Sequence, residues 1–205
     1  MGHAWCIGRV ERRTTMYAMI ELTEADVDVK RPVYREPIPE VGILAYQAAW
    51  DAGFRAQADI LQRAFAPLSP CLEHVGTTAV RGTAARPIID ILVGVAQPSA
   101  TDRLLDSLRL YGFCAGNPAE DFNPDGRLIV RWQQGLPTHH VHVVEYLGSA
   151  WCQTLLFRDV LRLDARLARE YEWLRRRFAS LHPANRVAYT RAKATFIQST
   201  AGQAH

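Results

Sequence analysis

Residues 88–95 read IIDILVGV, an apolar run of strand length broken by a single carboxylate, Asp90. A strand that is apolar at nearly every position, instead of every second one, is covered on both faces, which requires a sheet with helices packed on each side. Asp90 sharpens the constraint, because an ionised carboxylate inside such a strand is strongly disfavoured unless a cation or a hydrogen-bond donor meets it. The fold must bring a partner to Asp90.

The flanking sequence supplies the other elements. Residues 41–65 read as a short strand followed by a helix in which Trp50, Phe54, Leu61 and Phe65 share a face at helical spacing. CLEHV (71–75) reads as a strand, residues 76–86 as a turn with a small helical piece, and residues 99–113 as a helix with Ser99 or Thr101 as N-cap and Gly112 as its stop. RLIVRWQQ and HHVHVVEY flank GLPT as an antiparallel hairpin. The last third is helical, with Leu156, Val160, Leu163, Leu167, Tyr171, Leu174, Phe178 and Leu181 expected to form one core stripe. The expected order is αββαββ followed by helices, an α/β (α+β) domain over 41–205. Residues 1–40 lack a stable period, end among Pro32, Pro37 and Pro39, and read as an N-terminal extension.

Composition removes several classes of protein. At 205 residues with 48% hydrophobic and 22% charged residues, the chain is a soluble globular type, long enough for one sizeable core. No apolar run reaches the length of a membrane span, and the N-terminus lacks a secretory apolar segment, so a cytoplasmic protein without membrane partners is expected. Cys6, Cys71, Cys114 and Cys152 form no CxxC pair, which argues against a zinc knuckle or a disulfide framework. Residues 151–193 carry ten Arg or Lys against four Asp or Glu, a balance of +6 in a chain of +3. Such a basic face either attracts phosphate or is a solvated surface laced by pairs such as Arg166 with Glu170 and Glu172 with Arg176.

Four of the seven histidines, His74, His139, His140 and His142, lie in or beside the strands. The strand period of two puts His140 and His142 on one face and His139 with Glu145 on the other. If this hairpin pairs beside the Asp90 strand, His140 or His142 reaches Asp90. The cluster is a candidate metal or proton-transfer site formed by Asp90, His74, His140 and His142. Ahead of it, GTTAVRGTAARP offers small residues, hydroxyls and backbone amides suited to closing around phosphate oxygens.

At this point AYQAAW, EHVGTTAVRGTAARPIIDILVGV, THHVHVVE, LLFRDVLRLDARLAREYEWLRR and AYTRAKATFI, in this order from about Tyr46 to Ser199, resemble successive signatures of the GrpB family, a branch of the nucleotidyltransferase superfamily. The resemblance implies the minimal nucleotidyltransferase fold, a small mixed sheet flanked by helices, with C-terminal helices. It also implies a turn that holds a nucleoside triphosphate, and strand aspartates that bind two magnesium ions. Gly76 and Thr77 match that turn, with threonine in place of serine, and Asp90 matches the first aspartate.

The second aspartate is replaced by Leu92, and within the family's pattern Arg81 stands for proline and Arg86 for lysine. Imidazoles suit zinc, iron or manganese better than magnesium, so the cluster departs from a two-magnesium transferase. The expected activity is nucleotidyl transfer from a nucleoside triphosphate to a hydroxyl or amine acceptor, either a small molecule or an RNA or protein end. Asp90, His140 and His142 are the catalytic candidates. Gly76, Thr77, Thr78, Arg86 and Lys193, one of only two lysines, are expected to bind the nucleotide, with a divalent ion (magnesium or manganese, zinc as a further candidate) on Asp90, His74, His140 and His142. The alternatives are a non-catalytic nucleotide-binding protein and a His/Asp metal-dependent hydrolase.

Overall fold

The structure, a computed structural model, describes residues 42–117 and 126–181. Helix α1 (Ala49–Ala64) precedes strand β1 (Cys71–Val75), a 3-10 turn at Thr77–Ala79 and strand β2 (Ile89–Val95). A 3-10 segment at Pro98–Leu104 runs into helix α2 (Leu105–Arg109), followed by β3 (Phe113–Ala115), β4 (Arg127–Gln133) and β5 (Leu136–Glu145). Helices α3 (Ser149–Leu163) and α4 (Ala165–Leu181) close the described chain. Among the described residues no helix is long and apolar enough to cross a membrane.

The five strands form one mixed sheet in the order β1-β2-β5-β4-β3, in which only β2 and β5 run parallel. Burial on both faces of β2 follows from its apolar run. Ile89, Ile91, Val93 and Val95 pack with Trp50, Leu61, Phe65 and Leu108 beneath α1 and α2, whereas Leu92 packs with Val75, Val144 and Trp151 of α3 on the opposite face. Trp151 lies so close to the sheet that a side chain at Gly94 would meet its ring at 2.7 Å. This is the expected α+β architecture, a mixed sheet flanked by helices with a glycine turn leading into an aspartate strand.

Several boundaries differ from the sequence expectation. The short strand before α1 is reduced to one antiparallel bridge, Leu44 with Ala85, in which each N–H donates to the other's carbonyl at 2.8 and 2.9 Å. The hairpin turn is not GLPT but Gln134 and Gly135 alone, at φ +52° and +78°, the two-residue connection whose twist suits antiparallel strands. Leu136, Pro137 and Thr138 belong to β5, and Pro137 is accommodated beside a register shift at Arg131/Trp132. Strand β3 was not anticipated from the sequence, because three residues carry too little period to read.

The two helical regions also change. Thr101 does not cap a helix; it is fully buried and its hydroxyl donates to the Pro98 carbonyl at 2.6 Å, inside a 3-10 segment that leaves α2 only five residues. The single stripe expected along the C-terminal third breaks at Asp164, whose extended backbone ends α3 and whose Oδ1 accepts from the amides of Arg166 and Leu167 at the start of α4. The break resets the helical phase, so Leu156 and Leu163 are 41% and 88% exposed. The buried faces are Trp151, Arg158 and Leu161 on α3, and Ala168, Tyr171 and Arg175 on α4. The anticipated pairs Arg166–Glu170 and Arg176–Glu172 form at 3.8 and 3.0 Å.

Candidate functional site

The site begins where β1 turns towards β2. Antiparallel pairing sets Val75 opposite Asp90, so the next residue, Gly76, lies directly over the aspartate carboxylate. Gly76 is at φ +70° and ψ −172°, a conformation open to glycine alone, and a Cβ there would overlap Asp90 Oδ2. Thr77, Thr78 and Ala79 then wind into the 3-10 turn.

Asp90 finds its partners across the parallel pairing. Its register partner on β5 is His140, and His142 follows on the same face. Oδ1 of Asp90 lies 3.5 Å from His140 Nδ1 and 3.5 Å from His142 Nε2, with the two rings edge-on at 6.2 Å. Burial alone pushes the Asp90 carboxyl up, but hydrogen bonds from both imidazoles and their charge outweigh it and hold the group well below the usual carboxylate range. Asp90 is therefore ionised. Nδ1 of His140 and Nε2 of His142 are the ring nitrogens turned to Asp90.

His74 is not part of this group. Its register partner is Ile91, one residue out of phase with Asp90, and it points to the other face of the sheet under α1. There its ring stacks on Phe54 at 4.9 Å, its Nε2 lies 3.0 Å from the Thr78 hydroxyl, and its Nδ1 lies 3.6 Å from Asp51. Burial lowers its pKa to about 4, against the pull of Asp51 and Asp90. The strand period gave the faces within β1 and within β5, but only the register between strands decides that His140 and His142, and not His74, share a face with Asp90. His139 is likewise on the α1 face; burial, reinforced by Arg131, lowers its pKa to about 4.

Of the residues expected to hold phosphate, Gly76 and Thr77 sit at the turn, while Thr78 is 1% exposed with its hydroxyl committed to His74. Arg86 is half-buried just ahead of β2 and has no ion-pair partner among the described residues. Lys193 lies outside the described residues. Arg81, exposed, pairs with Asp51 at 3.7 Å and lines a cleft of about 400 Å3 together with Asp51, Ala79 and Arg162.

The sequence reading missed what fixes the turn from outside. Arg162 of α3 donates to the Ala79 carbonyl at 3.0 Å, Arg175 of α4 donates to the Ala84 carbonyl at 3.2 Å, and Glu172 accepts from the Ala84 amide at 3.0 Å. Buried Arg158 meets Glu73 at 2.6 Å, the His74 carbonyl at 3.1 Å and Asp159 at 2.8 Å. Part of the basic C-terminal face, Arg158 and Arg175, is thus buried and neither solvated nor open to phosphate. It holds the segment that precedes Asp90.

A pair of magnesium ions, as the resemblance implies, does not fit these donors. Leu92, at the second aspartate position, is fully buried against Val75, Val144 and Trp151, and the groups nearest Asp90 are imidazole nitrogens instead of carboxylates. Asp90, His140 and His142 do form a group able to hold one ion, each offering a ligand atom within 4.8 Å of the others.

Comparison with known proteins agrees with this architecture. The family model described as GrpB protein matches residues 40–203. The protein YqkA of Bacillus subtilis is 30% identical over 163 residues, which are 80% of this chain, and this chain spans 47% of its length. A UPF0157 protein of Pseudomonas aeruginosa is 35% identical over 172 residues, covering 80% of this chain and 67% of the relative. Among solved structures, the conserved protein GrpB from Enterococcus faecalis superposes with a TM-score of 0.64 at 25% identity, over 78% of this chain and 99% of that one.

Proposed function

The chain belongs to the GrpB protein family, and from that premise we propose that it binds a nucleoside triphosphate at the Gly76 turn and transfers the nucleotidyl group to a hydroxyl or amine acceptor. The observation that carries the proposal is the junction of turn and aspartate. A glycine-only turn closes directly onto an ionised Asp90 that two imidazoles meet at 3.5 Å. In this reading a phosphate-gripping backbone would stand beside proton-accepting side chains.

In this reading the turn amides at Gly76 and Thr77, with the guanidinium of Arg86, hold the phosphates. The acceptor oxygen or nitrogen attacks the α-phosphorus, the bond to the β-phosphate oxygen breaks, and pyrophosphate leaves. Asp90 orients His140 through Nδ1, so Nε2 takes up the acceptor's proton. Lys193 is retained in the proposal as a phosphate-binding residue, and a divalent ion on Asp90 belongs to it as well. The nucleotide pool is cytoplasmic, and that is the compartment we propose. The buried Leu92 favours one second reading, nucleotide binding without turnover, because it removes a carboxylate from the transfer site.

The test is incubation of the purified chain with α-labelled nucleoside triphosphates, divalent ions and a panel of small hydroxyl and amine compounds, RNA ends and proteins. Release of pyrophosphate with a labelled product, lost in Asp90→Asn, is the expected result. Nucleotide binding without product would leave the second reading, and no binding at millimolar nucleotide with any ion would remove both.

A further inference from the structure

We propose that Asp90, His140 and His142 form a three-ligand site for one divalent ion of the zinc type, with a fourth coordination position that no other described residue fills, in place of the magnesium pair that the fold resemblance implies. The proposal rests on the functional reading above only for the ion's neighbour, the phosphate turn. Three features of this chain carry the ion itself.

The first is the donor set. Two of the three ligands are imidazole nitrogens, which zinc and its neighbours among the transition metals accept readily, whereas magnesium is held by oxygens in an octahedron. The second is spacing. A tetrahedral ion with bonds of about 2.1 Å holds its donor atoms roughly 3.4 Å apart, while cis donors around magnesium lie about 2.9 Å apart. Asp90 Oδ1 is 3.5 Å from His140 Nδ1 and 3.5 Å from His142 Nε2, close to the tetrahedral value on both edges. The His140 to His142 edge lies within 4.8 Å, and a bound ion would draw it in towards the same length.

The third is placement. Asp90 and His140 are register partners in the sheet interior, and His142 lies two residues further along the same strand. The backbone therefore fixes all three Cα atoms before any ion arrives, and a preformed site spares the ordering that binding otherwise requires. Leu92 closes the position from which a fourth protein ligand on β2 would come. Three protein ligands with a vacant fourth position distinguish catalytic zinc sites from structural ones. An ion there would take over from His140 as the means of deprotonating the acceptor: it would lower the pKa of an acceptor hydroxyl or amine held at the fourth position, whose proton then leaves to solvent.

The test uses the full chain, freed of metal by a chelator and titrated with Zn2+, Mn2+, Mg2+ and Co2+ by calorimetry, with metal content measured after dialysis. One tightly bound Zn2+ per chain is expected, at least about 100-fold tighter than Mg2+, together with the strong visible absorption of four-coordinate Co2+. His140→Ala and His142→Ala should each weaken Zn2+ binding by about 100-fold, and His74→Gln should leave it within twofold. Circular dichroism identifies variants that fail to fold, and His142→Gln serves where His142→Ala does. Zn2+ binding that survives loss of both His140 and His142, or Mg2+ binding as tight as Zn2+, overturns the proposal. Nucleotide binding by a chain that takes no zinc-type ion sinks this inference and spares the function proposed above. The reverse result does the opposite.

Discussion

Gly76 and Asp90 occupy a space that admits no further atom, since a Cβ on Gly76 would overlap the Asp90 Oδ2 and the glycine already sits at φ +70°. Gly76→Ala therefore combines backbone strain with displacement of the carboxylate. We expect a loss of about 2 kcal/mol or more, a melting temperature lower by roughly 4–8 °C for a domain of this size, and weakened nucleotide binding in the molecules that remain folded. A scanning calorimetry shift below about 2 °C would show that the turn relaxes freely.

The pH dependence of stability should be set by the histidines on the α1 face. His74 and His139 are neutral when folded, with pKa values lowered from 6.5 to about 4. Between those values the unfolded chain binds protons that the folded chain does not, so their contribution, complete above about pH 6.5, is lost as the pH falls towards 4. The loss is roughly 3 kcal/mol for each. Asp90 adds to acid sensitivity only below the ordinary aspartate range, because its folded pKa is depressed. Urea denaturation between pH 7 and 4 should show this slope, and His74→Gln should flatten it. An equal slope in the variant would exclude His74 as a source.

Arg158 is 8% exposed and satisfies Glu73, Asp159 and the His74 carbonyl at once. Arg158→Ala leaves Glu73 and the His74 carbonyl without this donor and Asp159 with only Arg162, at 3.6 Å. The expected loss is about 2–3 kcal/mol, moderated because both acids are a third or more exposed, and it should appear as a lower urea midpoint at an unchanged m-value. Arg158→Lys should recover little, since an ammonium cannot reproduce the fork of donors.

Residues 1–40 are proposed to lie outside the folding unit, and the family match begins at residue 40. A chain starting there should melt within about 2 °C of the full protein, and a drop beyond about 8 °C would place part of that segment in the fold.

How far the sequence reveals the site depends on which periodicity each residue obeys. Burial of β2 on both faces, and the shared face of His140 and His142, need only the alternation within one strand, so both are legible in IIDILVGV and HHVHVVE. The separation of His74 from Asp90 depends on Val75 pairing with Asp90, a register set by strands that the sequence does not align. The break at Asp164 was readable in principle, as an aspartate able to cap the helix that follows, but the leucines on either side continue a helical spacing across it. The grip of Arg162, Arg175 and Glu172 on the turn joins segments more than eighty residues apart, and no local pattern announces it.

The parallel pairing of β2 with β5 also sets an order of events during synthesis. Asp90 leaves the ribosome about fifty residues ahead of His140, a delay of several seconds at roughly 5–20 residues per second. In that interval β2 has only β1 beside it, its other edge is unpaired, and its carboxylate has met neither imidazole. A nascent chain paused before β5 emerges thus presents an open apolar edge, the kind of surface on which chaperones act and aggregates begin. Arrival of His140 and His142 closes that edge and brings the carboxylate its hydrogen-bond partners in one step, so completion of the site and protection of the newborn protein are the same event.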